Sequence, residues 1–237
     1  MTRTSLTVGY VPGATPAKWA RTWAQRRPEV PLELRAVQAA DAAADLRAGA
    51  VDIAILRPPA DTSGLAVIPL YEETTVAVVP TDHILSAADE IAAADLADEP
   101  TLLPEDDVVG WGDAPGFPID HRPETTMAAI ELVAAGVGVL IVPQSLARLY
   151  HRKDLTYRPI TDAPTCPVGL AFPEGQQSEL VEEFIGIVRG RKASSSRGQS
   201  DSAPKRTARE KTLAKQAARA AAGKVARRPG RAGRGRR

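Results

Sequence analysis

The chain has 237 residues, 43% of them hydrophobic, which fits one large or two small domains with additional segments. Its one cysteine, Cys166, excludes a disulfide within the chain and agrees with a reducing compartment. No apolar signal core follows Met1, and no stretch approaches the roughly 20 apolar residues of a membrane span, so we expect a cytoplasmic protein.

The formal net charge of +1 hides two segments of opposite charge. Residues 1–188 contain 13 Lys/Arg and 27 Asp/Glu, a net charge of −14. Residues 189–237 contain 17 Lys/Arg and 2 Asp/Glu, a net charge of +15. Such asymmetry indicates an acidic folded part followed by a basic interaction tail.

Strand-like and helical patterns alternate in the first part of the chain. They predict strands at Leu6–Val11, Leu32–Val37, Val51–Leu56, Leu65–Leu70 and Thr74–Val79, and helices from Pro16 towards Arg27 and over Asp41–Ala48. The run Val51–Leu56 is almost wholly apolar, which is typical of a strand covered by helices on both faces. Pro12-Gly13 ends the first strand, and Thr15 is predicted to cap the helix that follows.

A second group of elements follows a predicted loop with short helices at Asp82–Asp98. It comprises strands at Thr101–Leu103, Val137–Val142, Leu155–Pro159 and Pro167–Phe172, and helices at Thr125–Ala135, Gln144–Tyr150 and Gln177–Val188, with Glu105–Pro123 as loop. The pattern predicts an α/β protein of two groups, in which the chain returns to the first group after completing the second.

From about Lys192 the composition becomes that of a low-complexity tail. A Ser/Gly-rich linker leads to Lys205–Lys224, which is rich in Ala and Lys/Arg and could be helical. The last segment, Arg227–Arg237, is rich in Arg and Gly and is expected to stay disordered on its own.

Three segments of the folded part resemble the effector-binding domain of LysR-type transcriptional regulators. They are LTVGYVPG at Leu6–Gly13, LRAGAVDIAILRPP at Leu46–Pro59 with LYEETTVAVVPTDHILS at Leu70–Ser86, and ETTMAAIELVAAGVGVLIVPQSLA at Glu124–Ala147. In this order and spacing they cover about residues 5–188. The resemblance implies a two-lobed, type 2 periplasmic-binding-protein-like fold, with residues 1–190 as the substrate-binding domain and 191–237 as the basic tail.

The resemblance also predicts how the chain divides between the lobes. Lobe one would comprise about residues 5–76 and 150–188, and lobe two about 77–149, with two crossover segments as a hinge and a small-molecule effector between the lobes. Relatives commonly pair through these domains, so a homodimer is expected. The family normally begins with a winged helix-turn-helix, whereas this sequence starts at the first strand of the effector domain, so only the sensing half is carried over.

The resemblance and the strand–helix junctions together predict the ligand-binding residues, because helix N-termini at strand ends offer free N–H groups. The candidates are Gly13, Thr15, Arg57, Leu103, Thr125, Thr126 and Val142. Alternatively, Thr15 and Thr125 only cap helices, and Arg57 is a solvated or hinge-pairing arginine. The acidic run Glu105-Asp106-Asp107 disfavours an anionic effector, unless it is simply a solvated loop.

Residues that could suggest catalysis do not form a recognisable catalytic pattern. His83, His121 and His151 are scattered without metal-ligand spacing, and Cys166 has no basic or histidine neighbour in the sequence. Gly136-Val137-Gly138 precedes a strand instead of following one, so it is not a dinucleotide fingerprint. We therefore predict a binding protein that is not an enzyme and needs no metal or cofactor; an enzyme on the same fold is the least favoured hypothesis.

The basic tail indicates contact with DNA, because polycations bind phosphates without sequence specificity. The candidate residues are Lys205, Arg206, Arg209, Lys211, Lys215, Arg219, Lys224, Arg227, Arg228, Arg231, Arg234, Arg236 and Arg237. Two alternatives remain: the tail folds back on its own acidic domain, or it only confers solubility. Two functions follow, an effector-sensing regulator that contacts DNA through its tail and a ligand-binding module without a DNA role.

Overall fold

The computed structural model describes residues 5–58, 61–175 and 177–191, which fold as two five-stranded sheets with helices packed on them. The strands are β1 (Leu6–Tyr10), β2 (Leu32–Ala36), β3 (Ile53–Leu56), β4 (Leu65–Glu73), β5 (Thr75–Pro80), β6 (Pro100–Leu102), β7 (Phe117–Pro118), β8 (Val139–Pro143), β9 (Leu155–Pro159) and β10 (Cys166–Pro173). The α-helices are α1 (Ala17–Arg26), α2 (Ala42–Arg47), α3 (Thr126–Ala134), α4 (Gln144–Leu149) and α5 (Glu179–Val188), and 3-10 helices occupy Ile84–Ala87 and Ala93–Leu96.

The first sheet has the strand order β2-β1-β3-β10-β4 and forms lobe one. β1 pairs in parallel with β2 and β3, whereas β10 runs antiparallel between β3 and β4. β3 is buried along its whole length, as its apolar run predicts. α1 and α5 cover this sheet, and Trp23 of α1 meets Phe184 of α5 with ring centroids 6.1 Å apart.

The second sheet has the order β7-β6-β8-β5-β9 and forms lobe two. β5 lies antiparallel between β8 and β9, and β6 pairs in parallel with β7 and β8. Its central strand β8 is buried on both faces, since Leu140 packs with Ile130 of α3 on one side and Ile141 packs with Leu96 on the other. Each lobe therefore has a hydrophobic core of its own.

Two crossover segments connect the lobes and lie side by side. The first is the short step from Glu73 to Thr75, and the second runs from Ile160 to Cys166. Ile160 N–H donates to the Thr75 carbonyl over 3.1 Å, and the Thr75 hydroxyl donates to the Pro164 carbonyl over 2.5 Å. We call this paired connection the hinge.

The structure corrects three details of the sequence interpretation. β9 lies in lobe two, not lobe one, because Leu155–Pro159 pairs with β5 along its whole length and Leu155 is buried in the core of lobe two. Thr15 does not cap α1: Pro16 is the N-cap residue and no side chain caps this helix end. β7 occurs within the segment predicted as loop, where Phe117–Pro118 extends the sheet edge.

Among the residues that the structure describes, no helix is long and apolar enough to cross a membrane.

Candidate functional site: the interlobe cleft

Residues of both lobes line two cavities, and Arg57, which lines one of them, contacts Ser145, which lines the other. The larger, which we call the hinge cavity, has a volume of about 750 Å³ and includes Gly13, Thr15, Glu73, Ser145 and Arg148 in its lining. The smaller, which we call the interlobe cleft, has a volume of about 530 Å³. Both volumes fall in the range of small-molecule sites.

The interlobe cleft is lined by loops at the ends of strands and by the start of α3. Lobe one contributes Pro12, Gln38, Ala39, Ala40, Asp41, Arg57 and Pro58. Lobe two contributes Glu105, Asp106, Asp107, Val108, Glu124, Thr125, Thr126, Leu146 and Tyr150. A molecule in this cleft would touch both lobes, as expected for ligands beyond the carboxyl ends of strands in α/β sheets.

Arg57 lines the cleft and joins the two lobes. It follows β3, and its Nη2 lies 2.6 Å from Glu73 Oε2 and 3.0 Å from Ser145 Oγ, while its Nη1 donates to the Pro12 carbonyl over 3.1 Å. The Arg57 and Glu73 side chains are only 7% and 8% exposed, so this is a buried ion pair. Arg57 Nε is also buried and donates to no acceptor among the described residues.

Gly13 lets the two lobes approach each other closely. Its φ of +86° is favourable only for glycine, and a Cβ at this position would overlap Ser145 Oγ and lie 2.9 Å from Ser145 Cβ. Gly13 belongs to the loop after β1 and Ser145 to α4, so this contact crosses between the lobes. Gly13 and Ser145 both line the hinge cavity.

The N-terminus of α3 opens on the cleft and already has an anion beside it. The Thr125 hydroxyl accepts a hydrogen bond from Ala128 N–H, which confirms the predicted cap. The buried Thr126 hydroxyl donates to Asp106 Oδ1 over 2.8 Å. The Asp106 carboxylate therefore lies where the partial positive charge of the helix end would favour an anionic ligand.

Carboxylates dominate the charge of the interlobe cleft. Five of them line it: Asp41, Glu105, Asp106, Asp107 and Glu124. None forms a salt bridge within the described part of the chain. The one cation in the lining, Arg57, is already paired with Glu73.

Hydrogen bonds and burial determine the state of two further polar side chains in the cleft, Asp107 and Tyr150. Asp107 accepts hydrogen bonds from Val109 and Gly110 N–H, which orders the acidic loop. Burial raises the pKa of Tyr150 above that of a free phenol, and the Asp106 carboxylate raises it further. The Tyr150 side chain is therefore a neutral donor at the lobe-two wall at physiological pH.

The structure divides the predicted ligand-binding residues among three places. Arg57, Thr125 and Thr126 line the interlobe cleft, and Gly13 and Thr15 line the hinge cavity. The other two do not reach either cavity. Val142 is 2% exposed and packs in the core of lobe two, because both faces of β8 are covered. Leu103 is 38% exposed, and its carbonyl accepts a hydrogen bond from Arg122.

The histidines and the cysteine lie outside the cleft. His83 caps the first 3-10 helix and lies 3.4 Å from Glu99, and His121 and His151 are exposed. Burial raises the pKa of Cys166, whose sulfur is 3.6 Å from the Thr75 hydroxyl in the hinge. Within the described ranges, no group of three or more His, Cys, Asp or Glu side chains is arranged to hold a metal ion. The predicted DNA-contacting residues from Lys205 to Arg237 lie outside those ranges.

Sequence reasoning missed the partners of Arg57. Glu73 and Ser145 are separated from Arg57 by 16 and 88 residues, so only the fold brings the three together. A signal for Glu73 existed: an arginine directly after a wholly buried strand needs a counter-charge, and the next strand ends in Glu72-Glu73. Sequence reasoning also missed Glu124, which is next to the helix cap and lines the cleft.

The two lobes, the paired crossovers and the cleft between them define a protein with the type 2 periplasmic-binding-protein-like fold. Similarity to known proteins identifies the family. The family model of the LysR substrate binding domain matches residues 2–193, and the chain belongs to that family.

Among curated relatives, the chain is 29% identical over 196 residues to the HTH-type transcriptional regulator AlsR of Bacillus subtilis, covering 77% of this chain and 65% of AlsR. It is 26% identical over 204 residues to the Hca operon transcriptional activator HcaR of Escherichia coli, covering 80% of this chain and 68% of HcaR. The chain thus spans about two thirds of the length of these two regulators.

Solved structures agree with the fold. The BenM effector-binding domain with its effector benzoate has a TM-score of 0.66 at 21% identity, over 78% of this chain and 90% of that one. The oxidised form of OxyR has a TM-score of 0.64 at 23% identity, over 79% and 95%. At these identities the likeness concerns the fold alone.

Proposed function

We propose that this chain is the sensing part of a transcriptional regulator, in which a small-molecule effector binds in the interlobe cleft and changes how the lobes are held together. The observation that carries the proposal is the position of the cleft: both lobes line it, and Arg57 in its lining also contacts Glu73 and, across the lobes, Ser145. The regulators AlsR and HcaR among its relatives support the same reading. We place the protein in the cytoplasm, as a homodimer and without enzymatic activity.

The contacts suggest how binding would be transmitted. A ligand that touches both walls favours one spacing of the lobes over others, and it can shift that equilibrium only by its difference in affinity between them. Arg57 contacts the loop after β1, the hinge and α4 at once, so a change in lobe spacing must rearrange its hydrogen bonds.

The test is ligand-dependent stabilisation localised to the cleft. A pool of small metabolites is screened for a rise in melting temperature, which follows from preferential binding to the folded state. The variant Ala40→Trp places a large side chain on the exposed lobe-one wall of the cleft, and Ala88→Trp, at an exposed position of lobe two that lines neither cavity, is its matched control. We expect hits that A40W loses and A88W retains; hits that both variants retain would contradict the proposed site.

We further propose that the basic tail binds DNA without sequence specificity. Its support is the net charge of +15 in residues 189–237, because each neutralised phosphate releases counterions. A random-sequence duplex should bind the full-length protein with a log–log salt slope steeper than about −5, the value for about six phosphate contacts. A variant with glutamine at the basic residues from Lys205 onward should lose this binding, whereas equal retention of both proteins would refute the role of the tail.

The second candidate is a ligand-binding module without a DNA role, whose tail associates with its own acidic domain. The closely matched charges of −14 and +15 favour it. In that case, the glutamine variant would bind the effector with altered affinity, and salt would reproduce the change in the unsubstituted protein.

A further inference from the structure

We infer that the ligand of the interlobe cleft is a cation that also has an uncharged hydrogen-bond acceptor, such as an amine or guanidine with a carbonyl group. This inference rests on the proposed function, because it concerns the effector of the same cleft. The inferred ligand has the opposite charge to the effector of the BenM domain, because benzoate is an anion at neutral pH.

The first argument is the charge of the lobe-two wall. Glu105, Asp106, Asp107 and Glu124 all line it, and Asp41 faces them from lobe one. Because none of the five is paired with a described cation, their negative potential acts on the contents of the cleft. Partial enclosure between two lobes strengthens such a field relative to open water.

The second argument removes the feature that would attract an anion. The end of a helix contributes only about half a positive charge. At α3 this charge faces Asp106, which accepts from the Thr126 hydroxyl, while the Thr125 hydroxyl already occupies the N–H of Ala128. An anion at this end of the helix would therefore meet a carboxylate next to the N–H groups.

The third argument concerns Arg57 in the lobe-one wall of the cleft. Its charge is taken up by Glu73 at 2.6 Å, so it does not offset the five carboxylates. Its side chain is 7% exposed and lines the cleft, yet its Nε is without an acceptor in the described structure. A buried unsatisfied donor is costly, and a neutral acceptor on the ligand would satisfy it once the lobes adjust. An anion would instead add to the charge already supplied by Glu73.

The experiment compares three benzamides of similar size whose para substituents differ in charge. They are 4-(aminomethyl)benzamide, 4-(hydroxymethyl)benzamide and 4-carboxybenzamide, which are cationic, neutral and anionic at pH 7. Agmatine and glutarate extend the charge comparison to flexible molecules. Binding to the full-length protein is measured by titration calorimetry at concentrations up to about 10 mM, beyond the millimolar range of weak ligands.

The expected result is that the cationic benzamide binds at least about tenfold more tightly than the anionic one, a difference of about 1.4 kcal/mol. The double variant Glu105→Gln/Glu124→Gln should weaken the cation about fivefold to tenfold, since both side chains are exposed and have no partner in the described structure. The matched control Glu33→Gln/Glu90→Gln removes the same charge from exposed positions outside the cleft and should change the affinity less than twofold.

Tighter binding of the anion or of the neutral benzamide overturns the inference, as does equal weakening by the cleft and control variants. If the anion binds and Ala40→Trp abolishes its binding, the charge inference fails while the proposed effector site stands. If none of the five ligands binds, the charge inference fails as well, and the metabolite screen alone then decides the proposed function.

Discussion

The two walls of the interlobe cleft come from similar α/β lobes but differ in chemistry. The lobe-one wall carries one carboxylate, Asp41, and one arginine, Arg57, which is already paired, among alanines, prolines and an amide. The lobe-two wall carries four carboxylates around the N-terminus of α3. Under the proposed function the lobes would have different roles: the carboxylates of lobe two would select the charge of the ligand, and Arg57 of lobe one makes the contact with lobe two.

This division has a structural cause. In lobe one, Arg57 contacts Glu73 at the hinge. The loop that contains Gly13 lies so close to Ser145 of α4 that Gly13 has no room for a side chain. In the acidic loop after β6, Asp106 accepts from Thr126 and Asp107 accepts from Val109 and Gly110, so the hydrogen bonds of these two carboxylates stay within lobe two. Three substitutions can break or sharpen this comparison.

The largest effect is expected from Arg57→Met. Removing the arginine leaves the Glu73 carboxylate, only 8% exposed, without its partner, so the free energy of unfolding should fall by about 3–5 kcal/mol. Denaturant titration of the variant and the unsubstituted protein measures the difference.

The double variant Arg57→Met/Glu73→Leu tests whether the unpaired Glu73 carboxylate causes the loss of stability in Arg57→Met. With both charges gone, most of the stability should return, because buried pairs replaced by apolar groups are often neutral. A double variant as unstable as R57M would show that Glu73 is not the group that Arg57 stabilises.

An intermediate effect is expected from Gly13→Ala. An alanine at this position would be strained by φ +86° and would overlap Ser145 of the other lobe. Together these effects should lower the free energy of unfolding by about 2–4 kcal/mol. Gly136→Ala is the matched control, because Gly136 has φ +74° and a Cβ added there would have no atom within 4 Å. The free energy of unfolding of Gly136→Ala should fall by only about 1–2 kcal/mol, from backbone strain.

The interlobe origin of the Gly13 effect is checked with Ser145→Gly. In that background Gly13→Ala should cost no more than Gly136→Ala does, since the atoms that it would overlap are gone. If Gly13→Ala is equally costly with and without the Ser145 side chain, the close approach of the lobes is not what requires a glycine there.

Much of the fold could be predicted from the sequence because its signals are local. Apolar runs such as that of β3 identify buried strands, and the Thr125 cap identifies the start of α3. β9 was assigned to the wrong lobe for the opposite reason. Its partner β5 lies about 80 residues away, and nothing within Leu155–Pro159 distinguishes one sheet from the other.

The site divides in the same way. Thr125 and Thr126 could be predicted because a helix start shows in the sequence, whereas the role of Gly13 depends on Ser145, 132 residues away. Val142 lines neither cavity, because both faces of its strand are covered, and that covering depends on packing between distant segments of the chain. The acidic loop at Glu105–Asp107 was visible in the sequence, but its position opposite Asp41 was not.

The smallest effect distinguishes two threonines that the sequence predicts as equivalent helix caps. Thr125 accepts from Ala128 N–H over 3.1 Å, whereas no side chain caps α1 beside Thr15. Thr125→Ala should therefore lower the free energy of unfolding by about 1 kcal/mol, or the melting temperature by about 2–4 °C, and Thr15→Ala should change neither. Thermal unfolding of the two variants under identical conditions measures both. Equal losses would mean that both hydroxyls cap their helices in solution, and then the starts of α1 in lobe one and α3 in lobe two would be more alike than their hydrogen bonds indicate.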